Sequence, residues 1–179
     1  MSPRVFGCAL PGLLALVAAC GTPTDPGPEP TTFLSFASSP GDFIGGGETH
    51  RYVLTDGTWA ASYAGSTEAS FLQVSVVPVT TPWSWFWYLH LGAPAGQTLH
   101  VGTYESAERW PFQSAAHPGL DFSGTGRGCN TLVGRFVISE LSLGPSNTIS
   151  RLHATFEQHC EGSSAALTGE ISIVANPWK

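Results

Sequence analysis

From residue 33 onward, short runs of β-branched and aromatic residues alternate with polar positions, broken by clusters of Gly, Pro, Ser and Asn. No segment sustains a helical apolar period, so the pattern predicts an all-β chain. Candidate strands are Phe33–Ser38, Thr49–Thr55, Thr58–Tyr63, Ser70–Val77, Trp83–Leu91, Thr98–Tyr104, Leu120–Ser123, Leu132–Leu143, Thr148–Cys160 and Leu167–Ala175. Asp56-Gly57 is a two-residue hairpin signal between two of them, and Gly144-Pro145-Ser146-Asn147 marks another turn. So many strands in one domain suggest an antiparallel two-sheet sandwich, with the jelly roll as its variant.

The apolar positions also make a claim about register. Phe136 and Ile138 share one face of a strand, and Leu152, Ala154 and Phe156 share one face of the next. These faces coincide only if the numbers of paired residues sum to an even value. A bridge between directly opposed Cys129 and Cys160 requires an odd sum. One extra residue reconciles the two, and Gly134 is the natural place for such a β-bulge.

The first residues follow a different logic. Arg4 is the lone charge before a mostly apolar stretch from Val5 to Val17, and Ala18 and Ala19 precede Cys20. This is the layout of a secretory signal over residues 1–19. It is too short and too broken for a transmembrane helix, which needs about 20 apolar residues. Gly21 to Pro30 then carries four prolines in ten residues. Such a segment is excluded from helix and central strand, and as an extended spacer it spans roughly 30 Å. Residues 20–32 are therefore read as a linker and 33–179 as a single domain of adequate core size.

Removal of the leader leaves six basic and thirteen acidic side chains. No Lys/Arg cluster is present, which argues against nucleic acid as a partner. Cys8 leaves with the leader. Cys129 and Cys160 remain in the exported domain, and an even pair there is read as a disulfide. No cofactor motif is found, and a monomeric domain is expected.

Val17-Ala18-Ala19-Cys20 resembles a lipobox, the processing site of bacterial lipoproteins. The resemblance implies that Cys20 becomes the N-terminus and carries a thioether-linked diacylglycerol and an N-acyl chain such as palmitate. Several acyl chains anchor stably where one is marginal. Gly21, rather than Asp, follows the cysteine, which by the same resemblance favours the outer over the inner membrane. Phe122-Ser-Gly-Thr-Gly-Arg-Gly-Cys-Asn-Thr-Leu132 and Phe156-Glu-Gln-His-Cys-Glu-Gly162 resemble segments of an uncharacterised secreted bacterial domain. That resemblance supports the disulfide and implies no activity.

Two constellations carry possible chemistry. Trp83-Ser-Trp-Phe-Trp-Tyr-Leu-His-Leu91 is aromatic on both faces, with Trp83, Trp85 and Trp87 on one and Phe86, Tyr88 and His90 on the other. Aromatic rings stack on the apolar faces of sugars, so Trp83, Trp85, Trp87 and Tyr88, extended by Trp110, are candidate ligand-binding residues. A central strand covered by a loop, or an interface with a protein partner in an accessory role, explains the same pattern. His153, Glu157 and His159 share one strand face and are candidate metal ligands. Glu157 and His159 are about 7 Å apart at Cα, and a solvated outer face is the plainer reading. Ser123-Gly-Thr-Gly-Arg-Gly128 leads into a strand, not a helix, so a phosphate loop is disfavoured. The expected function is a non-catalytic binding module for a glycan or envelope component. A metal-dependent enzyme ranks behind it.

Overall fold

The computed structural model describes residues 31–66, 70–79 and 86–174. Every regular element among them is a strand or a single 3-10 turn, which establishes the all-β class. The strands are β1 (Phe33–Ser38), β2 (Thr49–Val53), β3 (Gly57–Gly65), β4 (Ser70–Pro78), β5 (Trp87–Gly92), β6 (Gly102–Arg109), β7 (Gly119–Gly124), β8 (Leu132–Leu143), β9 (Ile149–Cys160) and β10 (Leu167–Val174). Two sheets were expected. Hydrogen bonding instead runs unbroken through one ten-stranded sheet, in the order β2-β1-β10-β9-β8-β6-β7-β5-β4-β3. All neighbours are antiparallel except β6 and β7.

The sheet rolls up because each strand presents one apolar face. Leu34 and Phe36 of β1, Val74 and Val76 of β4, Trp87, Leu89 and Leu91 of β5, Phe122 of β7, Phe136 and Ile138 of β8, and Leu152 and Phe156 of β9 are all buried. Phe36, near one end of the strand order, lies 4.4 Å from the Trp87 ring near the other. Trp87 stacks on Phe122 at 5.3 Å, and Phe122 meets Phe156 at 5.0 Å. The interior of a nearly closed barrel results, with its seam between the edge strands β2 and β3.

The Asp56-Gly57 hairpin does not form. β2 pairs with β1 and β3 with β4, so the two strands that the dipeptide joins are the sheet's opposite edges. Asp56 instead closes a 3-10 turn by accepting from the Val53 amide at 2.8 Å. The turn at Gly144–Asn147 is present, with Ser146 and Asn147 at positive φ.

Cys129 and Cys160 form the expected disulfide, with Cα atoms 5.2 Å apart. Closing a loop of 31 residues stabilises by about 3–4 kcal/mol in the chain-entropy model. The predicted bulge at Gly134 is absent. Leu132 pairs with Cys160, Gly134 with Gln158 and Phe136 with Phe156 in an unbroken register. The premise of direct opposition was wrong, since Cys129 precedes β8 and reaches Cys160 from outside the ladder. The irregularities of this hairpin lie at Ser139 and between Ser142 and Leu143. Gly134 is needed for space, because a Cβ there would sit 2.8 Å from Leu120 Cδ2 and 2.4 Å from the Glu157 carbonyl.

Gln158 faces inward and is fully buried. Its Oε1 accepts from the Phe122 amide at 2.9 Å and its Nε2 donates to the Phe122 carbonyl at 2.8 Å. A side chain thereby supplies the pairing that β7 lacks beyond its short contact with β6, as buried backbone groups require.

Candidate functional site

The interior and exterior of β5 divide the aromatic segment. Trp87, Leu89 and Leu91 point inward, and Trp87 is only 2% exposed. Trp87 is therefore a core residue on the inner face of β5, away from the outer aromatic row. Trp83 and Trp85 lie outside the described residues, as does Cys20. Phe86, Tyr88 and His90 stand on the outer face, and each remains partly exposed.

Tyr88 and Trp110, two of the expected residues, are brought onto that same face. Trp110 arrives from the β6–β7 connection, which folds back over a bed of glycines. Gly92 and Gly119 pair across β5 and β7. A Cβ on Gly92 would lie 3.2 Å from Trp110 Cδ1, and one on Gly119 would lie 2.9 Å from the Gln113 carboxamide. Without side chains at these two positions the loop seats closely. Trp110 then stacks on His90, with ring centroids 4.0 Å apart and planes 6° from parallel.

A continuous aromatic row results. Phe86 and Tyr88 rings are 5.0 Å apart, Tyr88 and His90 6.2 Å, His90 and Trp110 4.0 Å, and Trp110 and Phe71 of β4 5.2 Å. Polar side chains flank it in register. Gln73 and Asp121 lie on either side of His90, and Ser75 and Ser123 on either side of Tyr88. Asp121 accepts from Ser123 Oγ at 2.8 Å, whereas its oxygen is 3.8 Å from His90 Nδ1, beyond hydrogen-bond reach. On the far side of β4, β3 presents Thr58, Ala60, Ser62 and Ala64, all exposed, as a low shoulder. The arrangement is a ridge of rings with hydroxyl, amide and carboxylate groups at its foot.

Phe71, Gln73 and Asp121 were not among the expected ligand-binding residues, and Phe86 and His90, though read on the same strand face as Tyr88, were not named as candidates either. A usable signal existed: the odd positions of Trp83–Leu91 run into Leu89 and Leu91, an apolar continuation that marks the core face and leaves the even positions outside.

The candidate metal ligands do lie on the outer face of β9, but they do not converge. His153 Nε2 pairs with Glu170 of β10 at 2.8 Å. Glu157, about 13 Å further along the strand, accepts from His159 Nε2 at 3.2 Å and from Arg135 Nη2 at 3.3 Å. The His159 hydrogen bond, with Arg135 second, holds the Glu157 carboxyl below the usual carboxylate range. Among the described residues no group of three His, Cys, Asp or Glu side chains is placed to hold a metal ion. The guanidinium beside Glu157 further disfavours a cation there.

His153 also contacts the Ser139 hydroxyl through Nδ1. Glu170, as acceptor, keeps the proton on Nε2 and leaves the Nδ1 lone pair for Ser139. This is the donor order of a nucleophile and its base. However, His153 and Glu170 are 38% and 41% exposed on an open strand face, where water competes for each bond. Beside them a hollow of about 460 Å³ crosses β1, β10, β9 and β8. Its charged lining residues, Arg135, Glu157 and Glu170, are already engaged in the ion pairs described above.

Compared with known proteins, the chain matches no family model, no curated protein and no solved structure.

Proposed function

We propose that this chain is a lipid-anchored bacterial envelope protein whose β-domain binds a polysaccharide on the outer face of β3, β4, β5 and β7. The observation that carries the reading is the row Phe86–Tyr88–His90–Trp110–Phe71 with polar groups on both flanks. Aromatic rings at such spacing offer successive stacking surfaces, and the flanking groups match the hydroxyls of pyranose rings. The rings are already packed against one another, so little side-chain freedom is lost on binding. Lipidation of Cys20, with the Pro-rich spacer behind it, would hold this face at a distance from the membrane, with the outer membrane favoured.

The test is retention of the mature protein in native gels containing neutral and acidic polysaccharides. Slowed migration that is lost in folded Tyr88→Ala and Trp110→Ala variants supports the reading. Wild-type mobility unchanged in every polysaccharide rejects it. Incorporation of labelled palmitate that disappears in Cys20→Ser tests the anchor separately.

A further inference from the structure

One end of the barrel carries a second arrangement that polysaccharide binding does not use. The β1–β2 loop and the β7–β8 turn meet there over the edge of Trp87. They enclose a hollow of about 330 Å³ whose lining includes Ile44, Glu48, His50, Trp87, Thr125 and Arg127. That size is at the small end of small-molecule sites.

The polar groups at this mouth are held in fixed order. His50 faces inward, with its ring 5.0 Å from Phe36, and Tyr52 is half-buried two residues further along β2. Trp87 Nε1 donates to the Tyr52 oxygen at 3.2 Å. Tyr52 then donates to His50 Nδ1 at 3.3 Å, and His50 Nε2 donates to Glu48 Oε2 at 2.9 Å. The direction is set by Glu48: its carboxylate only accepts, so it takes the Nε2 proton of a neutral imidazole and leaves the Nδ1 lone pair for the Tyr52 hydroxyl. Among the described residues the other Glu48 oxygen has no hydrogen-bond partner, so one carboxylate face stays open.

Arg127 stands on the other side of the hollow. Its backbone exchanges hydrogen bonds with Gly124, N to O at 2.8 Å and O to N at 3.0 Å, around a tight turn with Thr125 and Gly126 at positive φ. Thr125 is β-branched, and its φ of 53° is a strained choice outside a functional or tightly determined turn. Nη1 of Arg127 donates to the Phe43 carbonyl at 3.2 Å, and the guanidinium lies 5.7 Å from the Phe43 ring centroid. No carboxylate among the described residues pairs with it. One guanidinium and one carboxylate, each on an ordered backbone, thus face one hollow without meeting.

We propose that this mouth binds a free α-amino acid. Its carboxylate is taken by the Arg127 fork, its ammonium by Glu48, and its side chain turns toward Ile44 and Trp87. The zwitterion complements both charges at once. It is also neutral overall, so it approaches a chain of net charge −6 without the long-range repulsion that a simple anion meets. The site is separate from the outer aromatic row.

The experiment is calorimetric titration of the wild-type mature protein with L-alanine and L-leucine, and with leucine blocked at either end. Saturable heat is expected with at least one free amino acid. N-acetyl-leucine, which lacks the ammonium, and leucinamide, which lacks the carboxylate, are each expected to bind about tenfold or more weakly than leucine. Arg127→Gln and Glu48→Gln should show the same loss for the free amino acid, and Tyr88→Ala none. Absence of heat with both free amino acids overturns the proposal, as does equal binding of the blocked forms. The blocked-ligand comparison uses wild-type protein, so it decides even if a variant fails to fold. Failure here leaves polysaccharide retention unaffected, and failure of that retention leaves this test intact.

Discussion

The indole N–H of Trp87 donates to the hydroxyl of Tyr52 at 3.2 Å, joining β5 to the edge strand β2 across the open side of the barrel. These strands lie near opposite ends of the sheet order, so this bond and the Phe36–Trp87 contact fasten the roll where no strand ladder does. Replacing Trp87 with Phe removes the donor and part of the ring surface. The expected cost is about 2–3 kcal/mol, read from denaturant unfolding. A loss under about 0.5 kcal/mol would mean that the seam is held elsewhere.

Gln158 makes a sharper case. Gln158→Leu keeps the volume of the side chain roughly constant but leaves the amide and carbonyl of Phe122 without partners in a dry interior. Each orphaned group costs about 1–3 kcal/mol, so a destabilisation of about 3 kcal/mol is expected. A near-neutral result would show that β7 re-pairs or admits water.

Acid should weaken the fold through specific carboxylates. The Asn130 amide, with Thr131 behind it, holds the Glu161 carboxyl below the usual range. His159 and Arg135 do the same for Glu157, and the Ser114 amide for Glu108. A carboxyl whose folded pKa lies below its unfolded value, about 4.3, contributes its stabilisation above that value. The contribution disappears as pH falls through the depressed folded pKa. Thermal melting temperature should therefore drop from about pH 5 downward, and less steeply in Glu161→Gln. Parallel wild-type and variant curves would assign the acid sensitivity to other groups.

Much of the strand pattern was legible because one buried face per strand imposes strict alternation. β1 and β8 have the bounds read from the sequence, and the Cys129–Cys160 disulfide is the pairing that cysteine arithmetic gave once the chain was read as exported. The failures share one cause, since local signals say nothing about which strands become neighbours. Asp56-Gly57 looks like a hairpin, yet β2 and β3 found better partners in β1 and β4. The parity argument at Gly134 assumed that the cysteines oppose each other, whereas Cys129 lies off the ladder. His153, Glu157 and His159 share a face as read, but their partners Glu170 and Arg135 come from neighbouring strands and split them apart. Trp110 joined Tyr88 only because Gly92 and Gly119, remote in sequence, pair to make a bed for its loop.

The outer aromatic row is the centre of the functional account, and intrinsic tryptophan fluorescence of the mature protein titrated with polysaccharides and peptidoglycan fragments tests it most directly. A saturable change with at least one of them, abolished in folded Tyr88→Ala and Trp110→Ala but kept in Arg127→Gln, is the result the account predicts. A folded protein whose emission no glycan shifts, or a shift that survives both aromatic substitutions, would contradict it.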